Sequence, residues 1–372
     1  MQLKEITKII KNHRRWIILL ESILATIVLL AIVEKPFIAT KIVGVDNFNA
    51  RFFYYQIQSD KKISQNIVSC SDSIVVYQPF TQDVFDLRRL LASELNYVCQ
   101  FHPKAIIFDY VFEEEYDFTS ESDKLLIAAI NNCLTSGVKF YAPYINQDKV
   151  RVNFFHKYIS VAKGSVYIPD GRIDGNSEID GNSWMPALAL DRRHTSSFYK
   201  NRGIDFTTPD QILQANHDSI YYSREKLNEL LNGKYVIFSD TRDRADLKKM
   251  PFPTKDLQDN KNYLTGAVQL WYAMRSEICN RWDFYLPDYI AFLYALLIGY
   301  LYLHWQDSIY KRYRNGLVTR FAQFGSFIIT EVILIPLTGL FFMLFHWVMP
   351  LAESAIIIVF VNIFRYDDYA KN

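Results

Sequence analysis

The chain has 372 residues, half of them hydrophobic and 16% aromatic, with a formal net charge of +1. That is enough apolar material for a folded core and for membrane spans together. The near-neutral charge excludes a protein that neutralises many phosphates, so nucleic acid is not an expected partner.

The apolar residues concentrate at the two ends. Residues 16–33 form a run interrupted only by Glu21, Ser22 and Thr26, long enough for a helix to cross a hydrocarbon core of about 30 Å. It continues into Glu34, Lys35 and Pro36 without a small-residue cleavage site, so it reads as an uncleaved anchor. Three further runs follow Pro287: residues 289–305, 321–347 and 348–364, with Pro350 marking the last turn. Lys4, Lys8, Lys11, Arg14 and Arg15 precede the first run, and Lys311, Arg312, Arg314 and Arg320 fill the segment after the second. Basic residues stay preferentially on the cytoplasmic side. The expectation is a cytoplasmic head (1–15), four transmembrane helices, an exported domain (34–288), a cytoplasmic loop (306–320) and a cytoplasmic tail (365–372). Glu331 falls near mid-depth of its run, where a carboxylate is costly unless paired, and so is a candidate for contact with another helix or a partner subunit.

Within the exported stretch, short apolar runs alternate with helical patterns, which predicts an α/β fold with a mostly parallel sheet and right-handed crossover helices. Residues 73–78 (SIVVYQ) read as a first strand. Phe85, Leu87, Leu90, Leu91, Leu95 and Val98 then recur at helical spacing, and Pro103 stops the pattern. A strand at 105–112 precedes a helix at 123–134, and Gly137 ends that helix before a strand at 138–144. Residues 227–231 close a helix at Asn232-Gly233, and 234–239 (KYVIFS) form another buried strand. Residues 145–220 are less regular and contain DGNS twice, at Asp174 and Asp180. Those aspartate-glycine pairs suit tight turns and fail the spacing of an EF-hand loop.

Ligands of open α/β sheets bind beyond the carboxyl ends of strands. Asp109 and Asp240 lie at two such ends, and with Arg242, Asp243 and Asp246 they could line a polar cleft for a small ligand or cation; the alternative is a solvated rim of caps and ion pairs. The run Glu113-Glu114-Glu115 reads as a solvated loop. No nucleophile elbow, zinc-protease motif, phosphate loop or Cys-x-x-Cys is present, and His102, His156, His194 and His217 are scattered, so neither an enzyme nor a bound metal or cofactor is expected. All four cysteines fall in the exported stretch. A first strand rising from Cys70 and a crossover helix descending to Cys99 would bring those two thiols to one sheet edge, with Cys133 ending there as well; burial as small apolar residues is the other reading.

Three segments carry a family resemblance. The strand at 105–112 with Asp109 is followed by the helix-opening Asp123. Residues 164–190 hold an aspartate-glycine turn and end in MPALAL. Residues 232–254 (NGKYVIFSDTRDRADLKKMPFPT) are followed by LTGAV at 264–268, a Gly-Lys strand, aspartate loop, proline segment and glycine-opened helix. Together with the span layout, this resembles the type-2 CHASE family of extracellular sensory domains on bacterial membrane receptors. Ser239-Asp240 departs from the small Gly-Thr turn that members carry. The resemblance implies a sensor in the bacterial inner membrane, its main domain periplasmic or extracellular and both termini cytoplasmic. Such domains precede a kinase or cyclase, so the output here is expected from a separate effector or another membrane or envelope protein. The layout also permits a homo-oligomer. The rival expectation is a non-catalytic scaffold subunit of an envelope complex.

Overall fold

The computed structural model describes residues 72–79, 86–115, 121–146, 150–166, 172–173, 184–192, 198, 202–205, 214–216, 223–240, 247–249, 263–312, 316–345, 347–348, 354 and 357–359, together with Ile23. The chain divides into two compact units, Ile57–Asp283 and a second built from Met1–Gln56 and Phe284–Asn372.

In the first unit the chain order begins β1 (Ile74–Gln78), α1 (Leu87–Cys99), β2 (Ala105–Phe108), α2 (Glu121–Thr135), β3 (Lys139–Asn146) and β4 (Val150–Val152). A 3-10 turn (Phe154–Lys157), β5 (Ala162–Ser165), β6 (Arg172–Ile173), α3 (Met185–Ala189), β7 (Arg202–Ile204) and β8 (Gln214–Asn216) follow. The unit closes with α4 (Arg224–Leu231), β9 (Tyr235–Phe238), β10 (Leu247–Lys249), β11 (Tyr263–Thr265) and α5 (Gly266–Ile278), before β12 (Trp282–Tyr285). Seven strands form one sheet in the order β4-β3-β2-β9-β1-β8, with β5 also on β3. Every pair is parallel except β3 with β4.

The apolar runs become central strands because both sheet faces are covered. Val75 and Tyr77, Ile106 and Phe108, Val236 and Phe238 share one face with Leu91 and Leu95 of α1, Leu126 and Ile130 of α2, and Leu227 and Leu231 of α4. Successive side chains of a strand point to opposite faces, so the equally buried Ile74, Val76, Ile107 and Ile237 turn the other way. There α5 packs on β1 and β9, and α3 on β3 and β5. Helix boundaries follow local chemistry. Asp86 caps α1 by accepting from the Arg89 N–H at 3.1 Å, and Ser223 caps α4 in the same way. Gly137 leaves α2 at φ +81°, and a Cβ there would meet nothing, so backbone conformation alone explains the glycine. Gly164 answers a steric demand instead: a Cβ would stand 2.7 Å from the Met185 Cα, where β5 meets the start of α3.

Cys99 and Cys133 form a disulfide, with a Cα separation of 5.6 Å. This corrects the expected pairing of Cys99 with Cys70, which lies outside the described residues. The crossovers β1-α1-β2 and β2-α2-β3 step in the same direction along the sheet, so α1 and α2 lie side by side and end together.

The second unit contains α6 (Asp288–Arg312) and α7 (Gly316–Phe345). Both run beyond the expected spans 289–305 and 321–347 into the segment read as a loop, where Lys311 pairs with Asp307 one turn away at 3.0 Å. Among the described residues one stretch, Phe324–Phe341 of α7, is long and apolar enough to cross a membrane, against four expected. In α6, Tyr294, Tyr300, Tyr302, His304 and Gln306 dilute the apolar run. The runs 16–33 and 348–364 fall almost wholly outside the described residues. Leu293, Leu297, Leu301 and Trp305 of α6 form an exposed stripe at four-residue spacing, whereas Tyr302, Gln306 and Asp307 are buried. The Gln306 amide donates to the Tyr302 hydroxyl and to Ser326 Oγ of α7, both at 2.6 Å.

Candidate functional site

Three adjacent parallel strands, β2, β9 and β1, end together, and their last residues carry polar side chains. Pairing continues one step beyond the strands: the Asp109 N–H donates to the Phe238 carbonyl at 3.0 Å, and the Ser239 N–H to the Tyr77 carbonyl at 3.1 Å. Gln78, Asp109, Ser239 and Asp240 therefore emerge in a row. Ser239 Oγ donates to Asp109 Oδ2 at 3.0 Å, and the Gln78 amide reaches Asp240 Oδ1 at 3.4 Å. Ser239 is buried, while Gln78, Asp109 and Asp240 are partly open to solvent.

This row sits where the connections diverge. The helices joining β1 to β2, β2 to β3 and β8 to β9 pack on one face, whereas the chain leaving β9 returns as α5 on the opposite face. In open parallel sheets this carboxyl edge is where a ligand crevice forms. Asp109 and Asp240, chosen from strand ends alone, thus lie at the same sheet edge, Asp109 bonded to Ser239 and Asp240 to Gln78. Arg242, Asp243 and Asp246 lie outside the described residues, as do the DGNS turns. Glu331 lies on α7, and its side chain is likewise outside the described set.

The wall of the crevice is the segment after Asp109, and it is pinned from two sides. Asn153 accepts from the Phe112 N–H at 2.7 Å and donates to the Tyr110 carbonyl at 3.0 Å, and the Phe154 N–H donates to the Phe112 carbonyl at 2.8 Å. Glu115 accepts from Lys157 and Tyr158, both at 3.0 Å, and these bonds hold its carboxyl below the usual range. The run Glu113-Glu114-Glu115 is therefore a tethered strap, since Arg151 also meets Glu113 at 3.4 Å. From the other side Arg88 donates to the Glu114 carbonyl and pairs with Asp123. Its guanidinium lies 4.9 Å from the Phe112 ring centre and 4.7 Å from that of Phe154, a double cation–π contact.

Below the crevice the Tyr77 hydroxyl donates to Glu94 at 2.6 Å, and burial together with the Glu94 carboxylate pushes Tyr77 far above the normal phenol range. A second buried polar centre anchors the end of α5. Asp205 meets Arg275 at 3.5 Å and Arg281 at 2.6 Å, and Arg192 meets Glu277 at 3.4 Å. Buried ions in such mutual pairing serve the fold before chemistry. Among the described residues no group of three or more metal-ligating side chains gathers.

Arg88, Asn153 and Asp205 escaped sequence reasoning. For Arg88 a signal existed: it stands three and seven residues before Leu91 and Leu95, on the inward face of α1, and Asp123 stands likewise before Leu126 and Ile130 on α2. Two opposite charges on the inward faces of neighbouring helices point to a buried pair. Asn153 and Asp205 carry no periodic signal, because they follow three-residue strands. Comparison of the chain with protein-family models, with curated proteins and with solved structures returns no match.

Proposed function

We propose that this is a membrane-anchored extracytoplasmic protein that binds a small ligand or cation in the crevice at Gln78, Asp109, Ser239 and Asp240 and acts through a partner protein. The observation that carries the membrane part is the exposed apolar stripe of α6, Leu293, Leu297, Leu301 and Trp305, opposite a packed side that holds Tyr302, Gln306 and Asp307 beside Ala295 and Leu303. A helix in water buries its apolar face, whereas a helix in lipid turns it outward and satisfies polar groups against its neighbours. The four-span layout, with both termini cytoplasmic and the α/β unit exported, belongs to this proposal, as does the likeness to type-2 CHASE sensors. The Cys99–Cys133 disulfide favours an oxidising compartment for that unit. The crevice lies where open parallel sheets bind ligands, and its acceptor-rich rim suits a cationic or hydrogen-bond-donating molecule.

Orientation is tested by adding protease to intact spheroplasts of cells expressing a doubly tagged chain. The proposal requires cleavage of the central unit with both terminal tags protected; loss of the tags with an intact centre overturns it. Ligand binding is tested by thermal shift of the solubilised protein against divalent cations, amines and amino acids. A hit must disappear in Asp240→Asn and Asp109→Asn variants, and a panel without a hit counts against the crevice. Affinity capture from detergent decides between an effector and the rival reading, a scaffold subunit, which the exposed apolar faces of α6 and α7 also suit as helix-docking surfaces.

A further inference from the structure

The segment that braces the crevice wall contains a histidine whose ring the fold provides with no hydrogen bond. His156 sits in the 3-10 turn Phe154–Lys157, against the Phe155 ring at 5.1 Å. Both its ring nitrogens are shut off from solvent, and neither has a hydrogen-bond partner. Among the described residues no acidic group acts on the ring. The charge that acts on it is Lys163 of β5, and the neighbouring Lys157 is engaged by Glu115. A neutral imidazole tolerates this enclosure at moderate cost. An imidazolium there would be a second cation beside Lys163 with two donors and no acceptor.

The same turn is the clasp on the crevice wall. Residues 151–158 hold residues 110–115 through several contacts: Asn153 on Tyr110 and Phe112, the Phe154 amide on the Phe112 carbonyl, Arg151 on Glu113, and Lys157 with Tyr158 on Glu115. An event that forces the His156 ring into water must therefore displace the groups that hold the wall. We propose that His156 is an acid trigger: protonation expels its ring from the turn, the 151–158 clasp releases residues 110–115, and the crevice beside Asp109 loosens. The release follows from the clasp itself, and its effect on ligand access rests on the crevice reading given above.

The sign of the pH dependence follows from linkage. Burial, reinforced by Lys163, lowers His156 from its ordinary 6.5 to about 4 in the closed clasp. The open clasp, with the ring in water, titrates near the ordinary value. The closed form binds fewer protons, so its advantage is complete above about pH 6.5 and declines as pH falls towards 4. The Glu115 carboxylate is held below its usual range, so its own bonds persist into the acid part of that window.

The experiment is amide hydrogen exchange on the full chain in lipid nanodiscs between pH 7.5 and 4, corrected for intrinsic exchange rates and referenced to core amides such as Val236. In the wild type, protection at Phe112 and Phe154 is expected to fall by more than about tenfold across the window, a figure set well under the full shift because the ring is only half-buried. His156→Phe, which fills the space without titrating, should abolish the fall. The exposed Lys163→Met change keeps the histidine and should reduce the fall, because the closed form then protonates more readily. The proposal is overturned if wild-type protection is flat with pH, if His156→Phe loses protection in parallel with wild type, if Lys163→Met leaves the profile unchanged, or if Val236 opens together with the wall. None of these readouts requires a ligand, so the trigger can fail while ligand binding stands, and the reverse.

Discussion

Replacing Asp123 by alanine removes the acidic partner of a guanidinium that has almost no access to water. The Arg88 and Asp123 side chains are 4% and 7% exposed. Breaking a buried pair by deleting one partner costs about 3–5 kcal/mol, because the remaining charge stays buried without compensation. Arg88 keeps its bond to the Glu114 carbonyl and its stacking on Phe112 and Phe154, which places Asp123→Ala at the lower end, about 3 kcal/mol. For a unit of this size such a loss lowers Tm by about 6–12 °C. Replacing both partners by apolar residues, Arg88→Met with Asp123→Leu, removes the stranded charge and should recover most of that loss. Urea and thermal unfolding of wild type, Arg88→Met, Asp123→Leu and the double variant, followed by near-ultraviolet circular dichroism, give the coupling directly. A coupling below about 1 kcal/mol would mean that the pair is solvated in solution and that the α1–α2 clamp on the crevice wall has been misread.

Other consequences are open to direct measurement. Gly164→Ala drives a methyl group into the Met185 backbone, and a destabilisation of about 1–3 kcal/mol by the same unfolding assay is expected; an unchanged midpoint would show that β5 and α3 separate freely. Peptide mapping without reduction should recover Cys99 joined to Cys133, and replacing both by serine should cost about 3–4 kcal/mol for a closed loop of 34 residues; a Cys70–Cys99 peptide would restore the pairing first read from the sequence.

Much of the sheet was legible because its strands are buried on both faces. Within the expected strands 73–78, 105–112 and 234–239, the stretches IVVY, AIIF and YVIF are unbroken apolar runs, and such runs have few other places to go; the second strand ends at Phe108, four residues short of the expected 105–112. The edge strands β4 and β8 were not legible: three residues each, they exist only because a neighbouring strand offers its backbone. Asp109 and Asp240 could be chosen one at a time from strand ends, but their placement at one sheet edge depends on the insertion of β9 between β1 and β2, a pairing separated by more than a hundred residues of chain. The cysteines show the same boundary. Chain order made Cys70 a plausible partner for Cys99, whereas the lateral packing of α1 on α2 selected Cys133.

Composition and periodicity determined which stretches must leave water, and the exposed leucines of α6 still carry that demand without any knowledge of fold. Hydrophobic burial is additive along a chain, so it can be read residue by residue. The order of strands, the burial of Arg88 with Asp123, and the enclosure of His156 were decided only in three dimensions. Each depends on which distant backbone or charge arrives alongside, and electrostatics in a dry interior changes sign from cost to stabilisation on the placement of one partner.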